Sequence, residues 1–274
     1  MNIIEMYSDW LRKQNEIHRK KFYTGFEKYH SASSAGHCYK KQLFKFHDIK
    51  GEPFSDDTLR ILRMGTILHK DFEETIVDYL LSNIDVQDKY FIFVEHEVLS
   101  PELNVRGHLD FAYIDKENRH LTVIDFKSIG SYKWRGKYGL IKNRDKSPSF
   151  KYEMQLGTYA LAMKNIYGKY ISHSADNMEL KIIWYNKDTS AMREQLIPPE
   201  FMKQAKSYWE DFKELQEKND LLKPLKLDDK EQQWMIDLLN ERLPRDSYGI
   251  PFEGWECHNK KKTKIYCAWE AVCK

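Results

Sequence analysis

Apolar positions recur along this chain with two periods, and the switches between them mark out an order of elements. Residues Ile3 to Gln14 carry apolar side chains at helical spacing and predict a short amphipathic helix. Tyr29 to Gly36 is small and polar and reads as a turn. It leads into a second helix from Cys38 to Phe44, with Ser33 or Ser34 as the N-cap. Gly51 and Pro53 break the pattern. Ser55, Asp56 and Asp57 then supply a cap and an acidic first turn for a long helix to about Leu81. Its apolar stripe is Leu62, Leu68, Phe72, Ile76 and Tyr79 or Leu80. Gly65 interrupts that helix, where it costs about 1 kcal/mol relative to Ala; close approach of a second backbone is the expected reason. His69 falls on the same face four residues on, with Glu73 one further turn along.

From Phe91 onward the period drops to two. Phe91 to Leu99, Val105 to Tyr113 and Leu121 to Lys127 read as three consecutive antiparallel strands. In the middle one, Val105, Leu109, Phe111 and Tyr113 alternate with Arg106, His108, Asp110 and Ala112, and the polar run Asp115 to His120 forms the connection. With the turn centred between Glu117 and Asn118, Asp110 lies directly opposite Asp125, and Lys127 shares a face with Asp125. Opposed residues place their Cβ atoms ~4.5–5.5 Å apart, where like charges repel. Two carboxylates so placed call for a cation, and oxygen ligands suit Mg²⁺ or Mn²⁺. Lys127 can hold a phosphate or orient a water beside that ion.

Ser128 to Phe150 reads as a long basic loop, with Lys133, Arg135, Lys137, Lys142, Arg144 and Lys146 interleaved with Tyr132, Trp134 and Tyr138. Basic groups track phosphates and aromatic rings stack bases, so Lys133, Trp134, Arg135 and Lys137 are candidate nucleic-acid contacts. Phe150 to Tyr167 is a helix on which Gln155 and Tyr159 share a face. Met178 to Tyr185 is a further strand. Helices are expected from Pro198 to about Lys218 and from Leu227 to Leu243. The order predicts a single α/β domain: an N-terminal helical part (1–56), a catalytic core (57–190), a helical region (191–250) and a Cys-rich segment (251–274).

Composition narrows the function. The chain has 274 residues, 41% hydrophobic and 31% charged, with a net charge of +2, so any basic surface is local. No apolar run approaches the ~18 residues of a membrane span, and Met1 to Gln14 lacks a signal-peptide core. A soluble, cytoplasmic protein is expected. Cys257, Cys267 and Cys273 cluster near the C-terminus among Lys260, Lys261, Lys262 and Lys264, and Cys38 is the only other cysteine. A metal or iron–sulfur cluster drawing on all four is one reading. Zinc held by the four cysteines, or with His37 or His258 in place of one thiol, is another, and reduced structural thiols are a third.

Taken together, Gly65-x3-His69, Gly107-His108-Leu109-Asp110, Asp125-Phe126-Lys127 and Gln155-x3-Tyr159 resemble, in order, the motifs of the RecB-like branch of PD-(D/E)xK nucleases. Ser31-Ala32-Ser33 followed by Cys38-Tyr39-Lys40 is similar to the entry of its members that carry a [4Fe-4S] cluster, among them the CRISPR-associated exonucleases and their phage relatives. The resemblance covers Ser31 to Cys273. It implies a restriction-endonuclease-like core, a mixed central sheet flanked by helices, with helical extensions at both ends. His69, Asp110, Asp125 and the backbone carbonyl of Phe126 are implied ligands of Mg²⁺ or Mn²⁺. Lys127 is implied to hold the attacking water, and Gln155 and Tyr159 to position DNA. Cys38, Cys257, Cys267 and Cys273 are implied to hold the cluster, with Zn²⁺ the alternative. One departure stands out: cluster-bearing members end Cys-x2-Cys-x5-Cys, whereas Cys257 lies ten residues before Cys267 here. The implied activity is a DNA exonuclease on single strands, 5′→3′, in a bacterial or phage-infected cell. The alternative is a DNA-binding accessory subunit of a recombination, repair or CRISPR-adaptation complex. No helicase motif is visible, so unwinding falls to a helicase or recombination partner. Some relatives form homo-oligomeric rings.

Overall fold

The computed structural model describes residues 2–23, 29–47, 49, 51–138, 150–172, 177–217 and 268–269. The expected helix over Leu227 to Leu243, the basic residues Lys142, Arg144 and Lys146, and Cys257, Cys267 and Cys273 lie outside them. The chain divides into two compact units. One comprises Met1–His30, His37–Met64 and Asp211–Lys274; the other comprises Ser31–Gly36 and Gly65–Glu210.

The second unit holds a mixed six-stranded sheet, as expected from the alternation of periods. Its strands are β1 (His30–Ser31), β2 (Tyr90–Ser100), β3 (Val105–Asp115), β4 (Leu121–Ile129), β5 (Met178–Asn186) and β6 (Met192–Ile197), in the order β1-β3-β4-β5-β6 with β2 also on β3. The pairs β2–β3, β3–β4 and β5–β6 are antiparallel, while β4 and β5 run parallel. A parallel pair requires a crossover. Here the crossover contains α5 (Ser131–Lys137) and α6 (Phe150–Tyr167).

Helix α6 is the centre of the packing. It is buried nearly all round, from Met154 through Ala160 and on to Ala162 and Met163, as a helix without a polar face must be. Gly157 permits this: a Cβ there would lie 2.4 Å from the backbone oxygen of Phe201, at the start of α7 (Glu200–Glu217). Trp209 on α7 donates its indole N–H to Thr158 Oγ1 at 3.0 Å. Helix α3 (Asp56–Leu81) reaches the sheet through Phe72, whose ring stacks on Phe126 of β4 with centroids 4.4 Å apart. Along α3, Leu68, Phe72, Ile76 and Leu80 are half-buried while Leu62 and Tyr79 face outward, so the apolar stripe is narrower than its sequence pattern. Among the described residues Gly65 has no close neighbour; a Cβ would meet only Ser128 Oγ at 3.9 Å, and none of them makes the expected backbone approach.

The first unit is helical: α1 (Ile3–Tyr23), α2 (Tyr39–Phe46), the start of α3 and the end of α7. Arg60 reaches Ser8 Oγ at 3.2 Å, and Arg12 pairs with Asp56. His30 sits between the rings of Phe46 and Phe212, at 4.5 and 4.6 Å, and shares a 3.1 Å hydrogen bond with Gln216 Oε1. Burial lowers its pKa to about 4. Cys38, rather than Ser33 or Ser34, occupies the N-cap position of α2, because Ala32–Ser34 form their own 3-10 turn. No helix among the described residues is long and apolar enough to cross a membrane.

Candidate active site

The β3–β4 register pairs Phe111 with Ile124, Ala112 with Val123 and Tyr113 with Thr122. Continued by one step, it sets Asp110 opposite Asp125, the pairing expected from the turn centre. The two carboxyl groups are close enough for the charge on Asp110 to raise the pKa of Asp125. Asp110 is further fixed by the backbone N–H of Phe126, which donates to its Oδ2 at 2.7 Å.

Asp125 is 1% exposed. Lys127, two residues along the same face, places Nζ 2.8 Å from Asp125 Oδ1 and 2.7 Å from Oδ2. Hydrogen-bond geometry is met only at Oδ1, which leaves Oδ2 buried and without a hydrogen bond. Gln155 Nε2 donates to the same Oδ1 at 3.0 Å and lies 3.3 Å from the hydroxyl of Tyr159. Gln155 and Tyr159 are both buried, so here they stand behind a carboxylate rather than on an open strand-binding surface. Gly107 makes room for the tyrosine: a Cβ on it would lie 2.7 Å from Ala32 Cβ and 2.9 Å from Tyr159 Cε1. Burial raises the Asp125 pKa to about 7, opposed by the Lys127 charge and reinforced by Asp110. Lys127 is raised in turn, its carboxylate neighbours outweighing the cost of burial.

Helix α3 supplies the rest. His69 Nδ1 lies 3.7 Å from Asp110 Oδ2 and 4.0 Å from Glu73 Oε1. One ligand atom from each of His69, Glu73 and Asp110 falls within 4.8 Å of the others. A ring nitrogen and two carboxylates suit a divalent cation of the Mg²⁺ or Mn²⁺ kind. Asp125 is not one of those three, and its Oδ2 has the Lys127 ammonium 2.7 Å away. Burial lowers the His69 pKa, partly countered by Asp110 and by the Phe126 backbone carbonyl. A neutral imidazole is the form that can ligate. The Glu73 pKa is pushed up to about 8, first by burial, then by its hydrogen bond with Glu95 and repulsion from Glu95 and Asp110.

Glu95, which belongs to no motif in the sequence, stands beside this group. The β2–β3 register pairs Val94 with Phe111 and His96 with Leu109 but leaves out the step between them, where Glu95 and Asp110 stand. Glu95 has φ +45° in mid-strand, a left-handed conformation uncommon outside glycine. The signal for it lay in the Pro101–Asn104 turn: centring that turn as the other was centred sets Glu95 against Asp110. Glu95, Asp110 and Asp125 thus form a row across three strands.

The basic stretch after β4 forms α5 before it leaves the described residues. Lys133 and Arg135 are on its surface, whereas Trp134 is 6% and Lys137 8% exposed, both turned inward. Lys137 Nζ lies 4.3 Å from the Trp184 ring centroid, and burial lowers its pKa to about 8. Cys38 is half-buried; the other three cysteines are not among the described residues.

A family model described as the PD-(D/E)XK nuclease superfamily matches residues 32–274. No curated protein matches the chain. A solved structure titled "Crystal structure of SSO0001" is similar at 16% identity with a TM-score of 0.43, covering 78% of this chain and 88% of that chain. A likeness at that score says nothing about what this chain does.

Proposed function

The chain belongs to the PD-(D/E)XK nuclease superfamily; membership implies a metal-dependent nuclease acting on nucleic acid, and on that premise we propose a DNA exonuclease that digests single strands 5′→3′. The observation that carries the reading is the meeting of His69, Glu73 and Asp110 within 4.8 Å, beside the ion pair of buried Asp125 with Lys127. His69, Asp110, Asp125 and the Phe126 carbonyl would hold Mg²⁺ or Mn²⁺, with Glu73 close enough to join them. Bound there, the ion supplies charge stabilisation at the phosphate and a lowered pKa for water.

The protein's own groups do the remainder. Lys127 faces the same site as Asp125 and offsets negative charge on a phosphate, while orienting the attacking water. Gln155 holds the Asp125 oxygen in place, and Tyr159 stands within reach of the Gln155 amide. The Phe126 N–H fixes Asp110. Lys133 and Arg135, exposed on α5 immediately after β4, would follow the phosphate backbone.

Single- and double-stranded DNA, end-labelled, incubated with Mn²⁺ and either wild type or Asp125→Ala, test the reading. Release of nucleotides from the single strand by wild type only is expected; equal degradation by both proteins removes the assignment. We also propose that Cys38, Cys257, Cys267 and Cys273 hold a [4Fe-4S] cluster, with Zn²⁺ as the competing occupant, and that any unwinding comes from a partner.

A further inference from the structure

We propose that Tyr152 is a stacking platform for the nucleobase beside the cleaved phosphate, so that this site selects unpaired strand through a ring as well as through charge. The proposal rests on the nuclease reading. Tyr152 stands in the first turn of α6, three residues before Gln155, at the exposed edge of a helix whose stretch from Met154 to Ala160 is buried. It is 38% exposed. Lys127 Nζ lies 5.2 Å from its ring centroid. The ammonium group placed to meet a phosphate therefore also touches an open aromatic ring. A nucleotide whose phosphate is held at Lys127 brings its own base within reach of that ring.

The ring is held in place for the task. Trp184 of β5 meets it nearly at right angles, 76° with centroids 5.7 Å apart, an edge-to-face arrangement that favours a fixed orientation. Trp184 is itself anchored: its indole N–H donates to Gln195 Oε1 at 2.8 Å, and Gln195 Nε2 donates to Glu153 at 3.1 Å. Lys137 covers Trp184 at 4.3 Å. A ring so supported has little freedom left to lose when a base settles on it. A ring that served only to cover Trp184 needs neither its exposure nor its place against the catalytic ammonium. Bases in a duplex are already stacked on both faces, so a ring here rewards an unpaired strand.

The test is binding in EDTA, read by fluorescence anisotropy, with a labelled oligothymidylate and the same backbone carrying abasic sites. Tyr152→Ala is expected to lose about five- to 150-fold in affinity for the oligothymidylate, with no change on the abasic strand. Tyr152→Phe is expected to bind as wild type. Unchanged affinity in Tyr152→Ala, an equal loss on the abasic strand, or a loss in Tyr152→Phe equal to that of Tyr152→Ala would overturn the platform. Cleavage with Mn²⁺ is scored separately. Base-dependent binding in a protein that cuts nothing overturns the nuclease reading alone; cutting without ring-dependent binding overturns the platform alone.

Discussion

Lys127 and Asp125 stand two residues apart on β4 and form an ion pair between a half-buried ammonium and a buried carboxylate, with Nζ 2.8 Å from one carboxylate oxygen and 2.7 Å from the other. Breaking such a pair by removing one partner costs about 3–5 kcal/mol when the remaining charge is kept. Asp125 escapes that cost by taking up a proton, since its pKa already stands at about 7 with the lysine present. Lys127→Met is therefore expected to abolish cleavage and to weaken Mn²⁺ binding at neutral pH, with affinity recovering as the pH is raised. Calorimetric titration of Mn²⁺ at two pH values checks this. Unchanged affinity at neutral pH would show that the lysine does not set the charge of Asp125.

Glu73 makes stability depend on pH in a direction opposite to the usual carboxylate. Its folded pKa, about 8, is raised from 4.5. The folded state then binds more protons than the unfolded one between those values, so this contribution is complete below about pH 4.5 and lost as the pH rises through about 8. The lowered pKa values of His69 and His30 act the other way, removing stability as the pH falls below 6.5. Replacing only the glutamate separates the two. In EDTA, Glu73→Gln is expected to gain thermal stability relative to wild type as the pH is raised from acid to neutral, and saturating Mg²⁺ should narrow the gap. A difference in melting temperature that stays flat with pH would contradict the raised pKa.

Gly107 ties the sheet to the helix behind the site. Its missing Cβ would lie 2.7 Å from Ala32 Cβ and 2.9 Å from Tyr159 Cε1. Overpacking of this kind costs about 1–3 kcal/mol. Gly107→Ala is expected to lower the melting temperature, and also to lower kcat by displacing Tyr159, which stands 3.3 Å from Gln155 Nε2. A variant that melts earlier but cleaves at the wild-type rate would confine the glycine to packing.

The Asp110–Asp125 opposition was legible because a hairpin's register follows from its turn centre alone. Helix α6 was legible to the residue, between Pro148 and Gly168. Strand β6 was not. Its sequence Met192–Ile197 is mostly exposed, with three polar residues in a row, and an edge strand with little burial shows no clean alternation. Helix α5 hid within a basic stretch that carries no apolar stripe. Helix α1 runs on to Tyr23 rather than stopping at Gln14, through residues too polar to show a helical period. Trp134 and Lys137 carry the composition of a nucleic-acid surface but turn inward onto Trp184 and Tyr138; residue type does not reveal which face of a seven-residue helix is buried. Glu95 carries no motif of its own; only the register set by the Pro101–Asn104 turn gives it a place beside Asp110.

The cysteines give the last prediction. Cys38 is at the N-cap of α2, and the segment after that helix folds back on it, with Ile49 N–H donating to the Phe44 carbonyl at 2.8 Å. Ala268 and Trp269, the two residues after Cys267, are fastened to this same segment. Trp269 donates its indole N–H to the Ile49 carbonyl at 2.8 Å, and the Glu52 N–H donates to the Ala268 carbonyl at 2.7 Å. A Cβ on Gly51 would lie 2.9 Å from that carbonyl, so the contact is close. Chain ends more than two hundred residues apart in sequence are thereby held together, which is the arrangement a four-thiolate group spanning Cys38 and the C-terminal cysteines requires. Anaerobically purified protein is expected to be brown, with broad visible absorbance. Cys38→Ser should lose both the colour and the iron and melt at a lower temperature, because metal binding in such sites is coupled to folding. A colourless wild type containing stoichiometric zinc would assign the thiolates to Zn²⁺, and wild type free of both metals would leave the four cysteines as reduced thiols.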